Sequence, residues 1–460
     1  MNNFIQKKNS QKGFTLIESL IFLFIFALIA TTFFQAYIVT TRTVLNSKNR
    51  LGATALANQR MEIIRSIEYT TIGTKHWNGS AWVYGIPAGD LIEEEDISVN
   101  TTLYHVDTFV QYVDDTFDGS SPTDTIPTDY KRVRVTVSWG GRTADETVAL
   151  FGNFSPNGVE SSSGGGVLSI NALDSSGIGI SGVNVRIQNS SAGIDTTATT
   201  DSTGNVTLPG TPAGTQQYIL TLSKSGYYGA NTYAPYPTTA YTPVDVHASV
   251  VANVLNQKTL VIDRDVDMKL KTQDPFGVAV PSVSFSVAGG RVLGTTPSTG
   301  VQVYSLNQST STDSSGEKTF SDQSYGRYTF TIPDTSAYEF WKLTPESSTN
   351  NVFDASPGTS TDVLALFLSK TLASLKVQVV RNDNGNAIAG ATVHLTNTTL
   401  SYDETVTTDT FGFAYFPKTS TPLAVDTYNI EIQGTGFQTK TDTVVVSNAL
   451  TKKTYDLVAN

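Results

Sequence analysis

An almost unbroken apolar run near the N-terminus constrains this chain more than any other feature of its sequence. The run extends from Leu20 to Val39, and nine of the residues in 20–29 are Leu, Ile or Phe. About twenty such residues span roughly 30 Å as a helix, which is the thickness of a bilayer's hydrocarbon core. Their summed insertion free energy, roughly −3 to −5 kcal/mol, tolerates the acidic Glu18 at the edge of the run. We therefore expect one helix that anchors the chain in the cytoplasmic membrane.

The charges before this run predict its orientation. Lys7, Lys8 and Lys12 all precede the apolar residues. Positively charged residues favour the cytoplasmic end of a membrane helix. We therefore expect a cytoplasmic N-terminus and extracytoplasmic C-terminal domains.

The residues at the membrane boundary match a known processing signal. The letters KGFTLIE at 12–18, followed by the apolar helix, resemble the prepilin signal of type IV pilins and type II secretion pseudopilins. The resemblance implies that a prepilin peptidase cuts after Gly13, so that residues 1–13 are a leader and Phe14 is the methylated mature N-terminus. It also implies that the helix assembles with other pilin subunits. The alternative is a plain membrane anchor with an incidental glutamate.

Glu18 falls at the acidic position of that family, and electrostatics gives a carboxylate there a role. It lies one helical turn from the α-amine of Phe14, where the helix dipole favours negative charge. Inside a filament either charge alone would be costly to bury, so pairing with a neighbouring subunit's amine offsets this cost and fixes the register. Many pilins carry a helix-breaking proline within this helix, whereas residues 31–36 read TTFFQA here. The missing proline favours a minor subunit.

Beyond the membrane the pattern predicts that the helix continues as a stalk. Leu45, Leu56, Ile63 and Ile67 recur at helical spacing and form one apolar stripe. We therefore predict a membrane and stalk helix over residues 14–73 that packs on its own head domain.

After the stalk the pattern changes to the period of two that is typical of strands. The predicted strands cover residues 77–84, 101–113, 131–138 and 147–154. They predict an antiparallel head sheet over residues 74–155, which with the helix matches the pilin fold. The acidic run at 93–96 is expected to be a solvated loop, although it could attract cations.

The remainder of the chain contains a pattern that repeats three times. Residues 156–166 are rich in Ser and Gly and predict a flexible linker. Each repeat then has apolar strands, an Asp-x-x-Gly turn and a later strand tyrosine; the paired positions are Asp201 and Tyr218, Asp313 and Tyr328, and Asp409 and Tyr428. We predict three Ig-like β-sandwiches over residues 167–262, 263–370 and 371–460. Their short junctions without glycine predict a stiff array.

This pattern resembles carboxypeptidase regulatory-like, or transthyretin-like, repeats of bacterial surface proteins, and also collagen-adhesin B-type repeats. The predicted fold class is therefore an α+β pilin module followed by three all-β sandwiches. The second resemblance implies a possible Lys–Asn isopeptide bond, for which Lys269 and Lys271 are the candidates in the second repeat. Arg381 in the third repeat cannot serve as the nucleophile.

The sequence contains no constellation for catalysis. The four histidines (His76, His105, His247 and His394) are scattered without metal-ligand spacing, and the chain has no cysteine. A net charge of −11 disfavours a nucleic-acid partner. We expect no enzyme activity, no cofactor and no metal. Asp263, Asp265 and Asp267 could bind calcium, but a solvated domain junction is the simpler interpretation.

These observations favour a minor type IV pilin that is anchored in the membrane before assembly and displayed afterwards at the cell surface. Its three-domain extension would serve adhesion or spacing. The alternatives are a pseudopilin-like component of a type II secretion or DNA-uptake machine, and a surface-displayed enzyme. Expected partners are the prepilin peptidase, other pilin subunits, the cytoplasmic membrane and a cell-surface glycan or protein. The aromatic segment 227–237 is a candidate ligand loop, or else packs over its own sandwich.

Overall fold

The computed structural model describes residues 16–115, 128–141, 143, 146–156 and 165–460. A long N-terminal helix is followed by many strands in several sheets, which confirms the predicted fold class. Helix α1 spans Leu16–Ser66, and a 3-10 turn covers Tyr69–Thr71. At a rise of about 1.5 Å per residue, the 51 residues of α1 extend about 76 Å.

The C-terminal part of α1 packs against the head sheet. Its buried residues are Ala53, Leu56, Ala57, Met61 and Ile64. The predicted stripe is therefore partly wrong, because Leu45 and Ile63 are 52% and 41% exposed. The physical reason is the pair of alanines, whose small side chains let the helix axis approach the sheet and so centre the contact on their own face.

The head strands are β1 (Thr74–Trp77), β2 (Trp82–Tyr84), β3 (Leu91–Ile92), β4 (Glu94–Val99), β5 (Thr102–Val113), β6 (Tyr130–Trp139) and β7 (Thr147–Phe154). Strands β4 to β7 form an antiparallel sheet in that order. Alternate residues of β6 face α1, and Val133, Val135 and Val137 are completely buried there. The period of two in the sequence thus corresponds to burial on one face of the sheet.

Two expectations for the head are wrong. Residues 77–84 form a hairpin, not one strand, because the Asn78 side chain accepts hydrogen bonds from the backbone of Ser80 and Ala81 and turns the chain. The acidic run lies in β4 and the residue before it, not in a solvated loop. Cationic partners explain this placement, as Arg60 Nη2 lies 2.7 Å from Glu95 Oε1.

The next part of the chain forms β8 (Gly165–Leu173), β9 (Asn184–Asn189), β10 (Ile194–Thr199), β11 (Asn205–Pro212), β12 (Gly214–Ser223), β13 (Tyr227–Tyr228), β14 (Ala230–Asn231), β15 (Thr242–Pro243), β16 (Ala248–Val250), β17 (Leu255–Val261) and β18 (Asp263–Arg264). Strand β15 extends a sheet of the second sandwich, and the other strands belong to the first sandwich. One sheet has the order β11-β8-β17. The other runs β14-β12-β9-β10 and continues into β2-β1-β3 of the head. The first sandwich and the head therefore share a sheet.

The strands of the second sandwich are β19 (Val266–Gln273), β20 (Ser284–Thr295), β21 (Gln302–Ser311), β22 (Glu317–Gln323), β23 (Gly326–Thr331), β24 (Tyr338–Thr344), β25 (Val352–Ala355) and β26 (Ser360–Ser369). Those of the third are β27 (Ser374–Arg381), β28 (Thr392–Asn397), β29 (Tyr402–Thr407), β30 (Phe413–Phe416), β31 (Thr427–Gln433), β32 (Lys440–Val445) and β33 (Leu450–Leu457). In each sandwich the first strand pairs in parallel with the last long strand. The sandwiches are thus not purely antiparallel, since the chain crosses between sheets before it returns.

The repeated Asp-x-x-Gly motifs form the same turn three times. In each, the aspartate Oδ1 accepts hydrogen bonds from the backbone N–H groups two and four residues later. The glycine lies in the left-handed region, with φ between 75° and 83°, a conformation that strains any residue with a Cβ. This geometry explains why aspartate and glycine recur at these positions.

The repeated tyrosines are the largest completely buried side chains of the sandwiches. Tyr218, Tyr328 and Tyr428 are each at most 1% exposed. Their hydroxyls donate to backbone carbonyls at the preceding turn, those of Pro212, Ser324 and Ala424 respectively. Each tyrosine therefore joins the core to the turn before its strand, as a buried aromatic with a satisfied polar end does in general.

Lys131 joins the head sheet to the end of the stalk. Its side chain is buried, and Nζ donates to the carbonyl oxygens of Tyr69 at 2.8 Å and Ile72 at 2.6 Å. Burial lowers the pKa of Lys131 from 10.5 to about 8. Between about pH 8 and pH 10.5 the unfolded chain therefore binds more protons at Lys131 than the folded chain does. The free energy of unfolding consequently rises with pH across this range.

We expect Lys131→Met to destabilise the head by about 1–3 kcal/mol, because two buried carbonyls lose their donor. The deficit relative to wild type should be larger at pH 10 than at pH 7. Calorimetry of the full chain in detergent would measure both values. Lys453→Met, at an exposed position, is the matched control. A deficit that shrinks as the pH rises would contradict the assigned protonation behaviour.

Candidate functional site

The N-terminal part of α1 presents an exposed apolar surface. Its exposed large side chains include Leu20, Phe22, Phe24, Phe26, Leu28, Phe33 and Phe34. An 18-residue window of this helix has a mean hydropathy of 2.3, and none of it is buried against the described residues. By length and composition α1 can cross a membrane.

The predicted processing residues lie at the start of this helix. Glu18 is exposed in the first turn of α1. Gly13 and Phe14 lie outside the described residues. The helix continues without interruption through residues 31–36, where the Thr32 hydroxyl donates to the Leu28 carbonyl at 2.7 Å. The hydroxyl of Thr32 thus donates its hydrogen bond to the backbone of its own helix within the apolar segment.

The head and the first sandwich meet in a shared core. Tyr84 N donates to the Gly193 carbonyl at 2.7 Å, where β2 pairs with β10. Ile86 of the head is 3% exposed and belongs to the core of the first sandwich, against which Phe109 also packs. The first sandwich is therefore packed on the head, in addition to its covalent connection through the predicted linker.

A cavity of about 500 Å³ opens at this junction. We call it the Trp cleft and define it by six of its lining residues: His76, Trp77, Glu93, Trp82, Arg186 and Asp195. The two indoles meet edge to face across the hairpin, with ring centroids 5.7 Å apart and planes at 70°. Trp77 is 55% exposed and Trp82 is 45% exposed, so both remain accessible.

Charged groups of the Trp cleft are held in two pairs. Arg186 donates to Asp195 from Nε at 2.8 Å and from Nη2 at 2.6 Å. Burial acts to raise the pKa of Asp195, but hydrogen bonds from Arg186 and Gln188 outweigh it and lower the pKa. His76 Nδ1 lies 2.7 Å from Glu93 Oε2. At Glu93 burial dominates over the histidine, and its pKa is raised.

The aromatic segment 227–237 packs across the junction between the first two sandwiches. Tyr227 pairs with Arg264, and the guanidinium of Arg291 from the second sandwich lies 5.6 Å from the ring centre of Tyr228. Arg291 Nη1 also donates to the Gly229 carbonyl at 3.1 Å. The segment thus contacts the next sandwich as well as its own, while Tyr236 stays 54% exposed.

The structure does not support the calcium and isopeptide candidates. Asp263 is buried and accepts hydrogen bonds from Ser175 N and Oγ, and within the described ranges no group of three His, Asp or Glu side chains is placed to hold a metal. Lys269 and Lys271 point to carboxylates: Lys271 Nζ lies 2.5 Å from Asp362 Oδ2, and Lys269 Nζ lies 3.4 Å from Glu317 Oε2. Both lysines are therefore in ion pairs.

The second and third sandwiches are joined by what we call the Glu339 bridge, consisting of Glu339, Lys376 and Lys452. Glu339 on β24 accepts a hydrogen bond from Lys376 Nζ of the third sandwich at 3.1 Å, and its other carboxylate oxygen forms an ion pair with Lys452. The side chains of Glu339 and Lys376 are only 11% and 10% exposed. Burial acts to raise the pKa of Glu339, but the hydrogen bonds from both lysines outweigh it and lower the pKa.

Sequence reasoning missed the Trp cleft and the Glu339 bridge. A local signal existed for the cleft hairpin, because Asn78-Gly79 between two tryptophans is a strong hairpin pattern. Arg186 and Asp195 of the cleft lie more than a hundred positions from the hairpin, and no local signal relates them to it. No local signal relates Glu339 to its two lysines either.

Comparison with family models confirms the resemblance to the prepilin signal and, in the first repeat, the resemblance to carboxypeptidase regulatory-like domains. Residues 8–34 match the prokaryotic N-terminal methylation motif, and residues 168–255 match the carboxypeptidase regulatory-like domain. The second match covers the first of the three repeats. No curated protein matches the chain.

Solved structures to which this chain is similar include a Bacillus anthracis protein and two pilins. The Bacillus anthracis TIE protein is 15% identical, with 85% of this chain and 73% of that chain covered and a TM-score of 0.20. A streptococcal ancillary pilin is 11% identical, with coverages of 64% and 99% and a TM-score of 0.19. The major pilin subunit of Bacillus cereus is 11% identical, with coverages of 64% and 100% and a TM-score of 0.16. At such TM-scores the likeness carries no argument about function.

Proposed function

We propose that this protein is a minor type IV pilin that inserts into a filament by α1 and displays its three sandwiches at the cell surface. The observation that carries the proposal is the methylation motif over residues 8–34, which leads directly into an exposed apolar helix. A membrane anchor and a filament core require the same apolar surface. One helix can therefore serve the subunit both before and after assembly.

In this proposal each predicted processing residue has one role. The prepilin peptidase cuts after Gly13, and Phe14 becomes the methylated N-terminus. Glu18 pairs with the α-amine of a neighbouring subunit. The leader lies in the cytoplasm because its lysines precede the helix, and all later domains are extracytoplasmic.

The proposed display role follows from how the domains are joined. The head shares a sheet with the first sandwich, and Lys342 Nζ of the second sandwich lies 2.9 Å from Asp409 Oδ2 of the third. Contacts of this kind favour a projecting array over domains that move independently. Such a mass does not fit inside a filament shaft, which supports a surface role in adhesion. The matched families are those of a structural subunit and an accessory domain, which supports a function without catalysis.

The mature N-terminus tests the proposal most directly. Co-expression with an active prepilin peptidase should yield a chain that begins at N-methylated Phe14, as read by intact mass and N-terminal sequencing. Gly13→Val should abolish cleavage, because the peptidase requires the small residue before the cut, whereas Ser10→Ala in the same leader should not. A wild-type chain that retains Met1 in the presence of an active peptidase would contradict the proposal and leave the helix with a role in membrane anchoring only.

A further inference from the structure

The Trp cleft has the composition of a small-molecule site. Its volume of about 500 Å³ lies within the roughly 300–1,000 Å³ of typical ligand pockets. It combines two exposed indoles with a few convergent polar groups. We propose that the Trp cleft binds a neutral saccharide.

The two indoles form an exposed apolar surface in the Trp cleft. Two large aromatic side chains that remain about half exposed side by side leave apolar surface in water, which marks interaction sites on protein surfaces. Their position is constrained, because Trp77 pairs directly with Trp82 across the hairpin and Lys75 Nζ lies 5.4 Å from the Trp82 ring centre. A rigid π-face suits the C–H-rich face of a pyranose ring, which needs an apolar flat partner.

The polar residues of the Trp cleft provide hydrogen-bonding groups for sugar hydroxyls. Sugar hydroxyls both donate and accept, so they bind best to fixed, planar charged groups with free hydrogen-bonding capacity. The Arg186 side chain is 53% exposed although it is held by Asp195, so its remaining N–H donors face outward. Glu93 Oε2 lies against His76, which orients the carboxylate at the cleft wall. The cleft therefore offers oriented donors and acceptors beside a stacking surface.

The balance of charge selects a neutral ligand. Arg186 neutralises Asp195, whereas Glu93 and Glu94 face only histidines, His76 and His105, which carry charge only when protonated. The excess negative charge repels sialic and uronic acids, as well as phosphorylated sugars. It does not oppose uncharged hexoses or N-acetylhexosamines.

Strand pairing closes part of the main chain at the cleft to an extended peptide. Extended peptides bound by proteins commonly add a strand to a free sheet edge. Strand β1 is paired on both sides, with β2 and with β3. Strand β10 is paired with β9 along its length but with β2 at Ile194 alone, so addition of a peptide to β10 is the outcome that the test must distinguish from sugar binding.

This inference deepens the adhesive part of the proposed function, because it names the class of ligand. Its test needs no filament. Binding by the solubilised chain and processing at Gly13 are separate measurements, so either can fail while the other succeeds.

The test uses the full chain in a detergent without a sugar headgroup, applied to an array of neutral and acidic oligosaccharides. Neutral glycans should be retained, and titration with the best of them should change tryptophan emission. Trp77→Ala should weaken binding at least tenfold. Phe151→Ala, an exposed aromatic on β7 outside the cleft, should leave binding unchanged.

A second variant separates binding from folding. Thr197 is an exposed lining residue, so Thr197→Arg should fill the cleft and weaken binding while the thermal midpoint stays at the wild-type value. The proposal is overturned if the array retains no glycan or acidic glycans alone. It is equally overturned if a folded Thr197→Arg variant binds like wild type, or if the cleft captures peptides and no sugar.

Discussion

Replacing Glu18 with leucine should abolish incorporation of the subunit into filaments while leaving cleavage after Gly13 intact. In the proposed filament the Glu18 carboxylate neutralises a neighbour's α-amine within the apolar packing of the helices. Removing one partner of a buried ion pair costs about 3–5 kcal/mol. At about 1.4 kcal/mol per factor of ten, assembly should fall more than a hundredfold. The amount of subunit in sheared filaments relative to membranes measures this effect.

The control for this experiment lies on the same helix. Glu62→Leu removes an exposed carboxylate of α1 that pairs with Arg65 on the stalk. It should assemble normally, because that pair remains in water. If the Glu18→Leu subunit enters filaments at the wild-type level, the pairing role of Glu18 is refuted.

Replacing Glu339 with leucine should destabilise the junction of the second and third sandwiches by about 3–5 kcal/mol, because Lys376 would remain buried without its carboxylate. Chemical denaturation and small-angle scattering of the full chain would show the loss of stability and a broader range of interdomain angles. Glu404→Leu is the matched control. Its pair with Lys418 is exposed, so the change should stay within about 0–1 kcal/mol.

A triple variant without the three charges and the dependence on pH make this prediction specific. Adding Lys376→Met and Lys452→Met to Glu339→Leu should restore most of the lost stability, since no buried charge then lacks a partner. The pKa of Glu339 is lowered from its usual 4.5, so its stabilisation is complete above that value and is lost as the pH falls through the lowered pKa. A Glu339→Leu junction as rigid and stable as wild type would show that the bridge contributes nothing.

Much of this protein follows from local patterns in the sequence. The apolar run predicts a membrane-competent helix because hydrophobic transfer depends mainly on composition over about twenty residues. The motif at 12–18 predicts the processing signal from local sequence alone, because a peptidase recognises a short contiguous segment. The Asp-x-x-Gly turns and buried tyrosines predict repeated sandwiches, because turn geometry and strand period are local properties.

The junctions depended on tertiary structure. The hairpin at residues 74–84 joins a sheet of the first sandwich, although a linker rich in Ser and Gly had suggested an independent domain. The Trp cleft brings Trp77 to Arg186, and the Glu339 bridge brings Glu339 to Lys452. Pairing between residues so distant in the chain leaves no periodicity in either segment. Local sequence therefore predicted the repeated sandwiches and a helix able to cross a membrane, whereas the packing between domains formed the Trp cleft and the Glu339 bridge, because burial and charge pairing depend on neighbours in space.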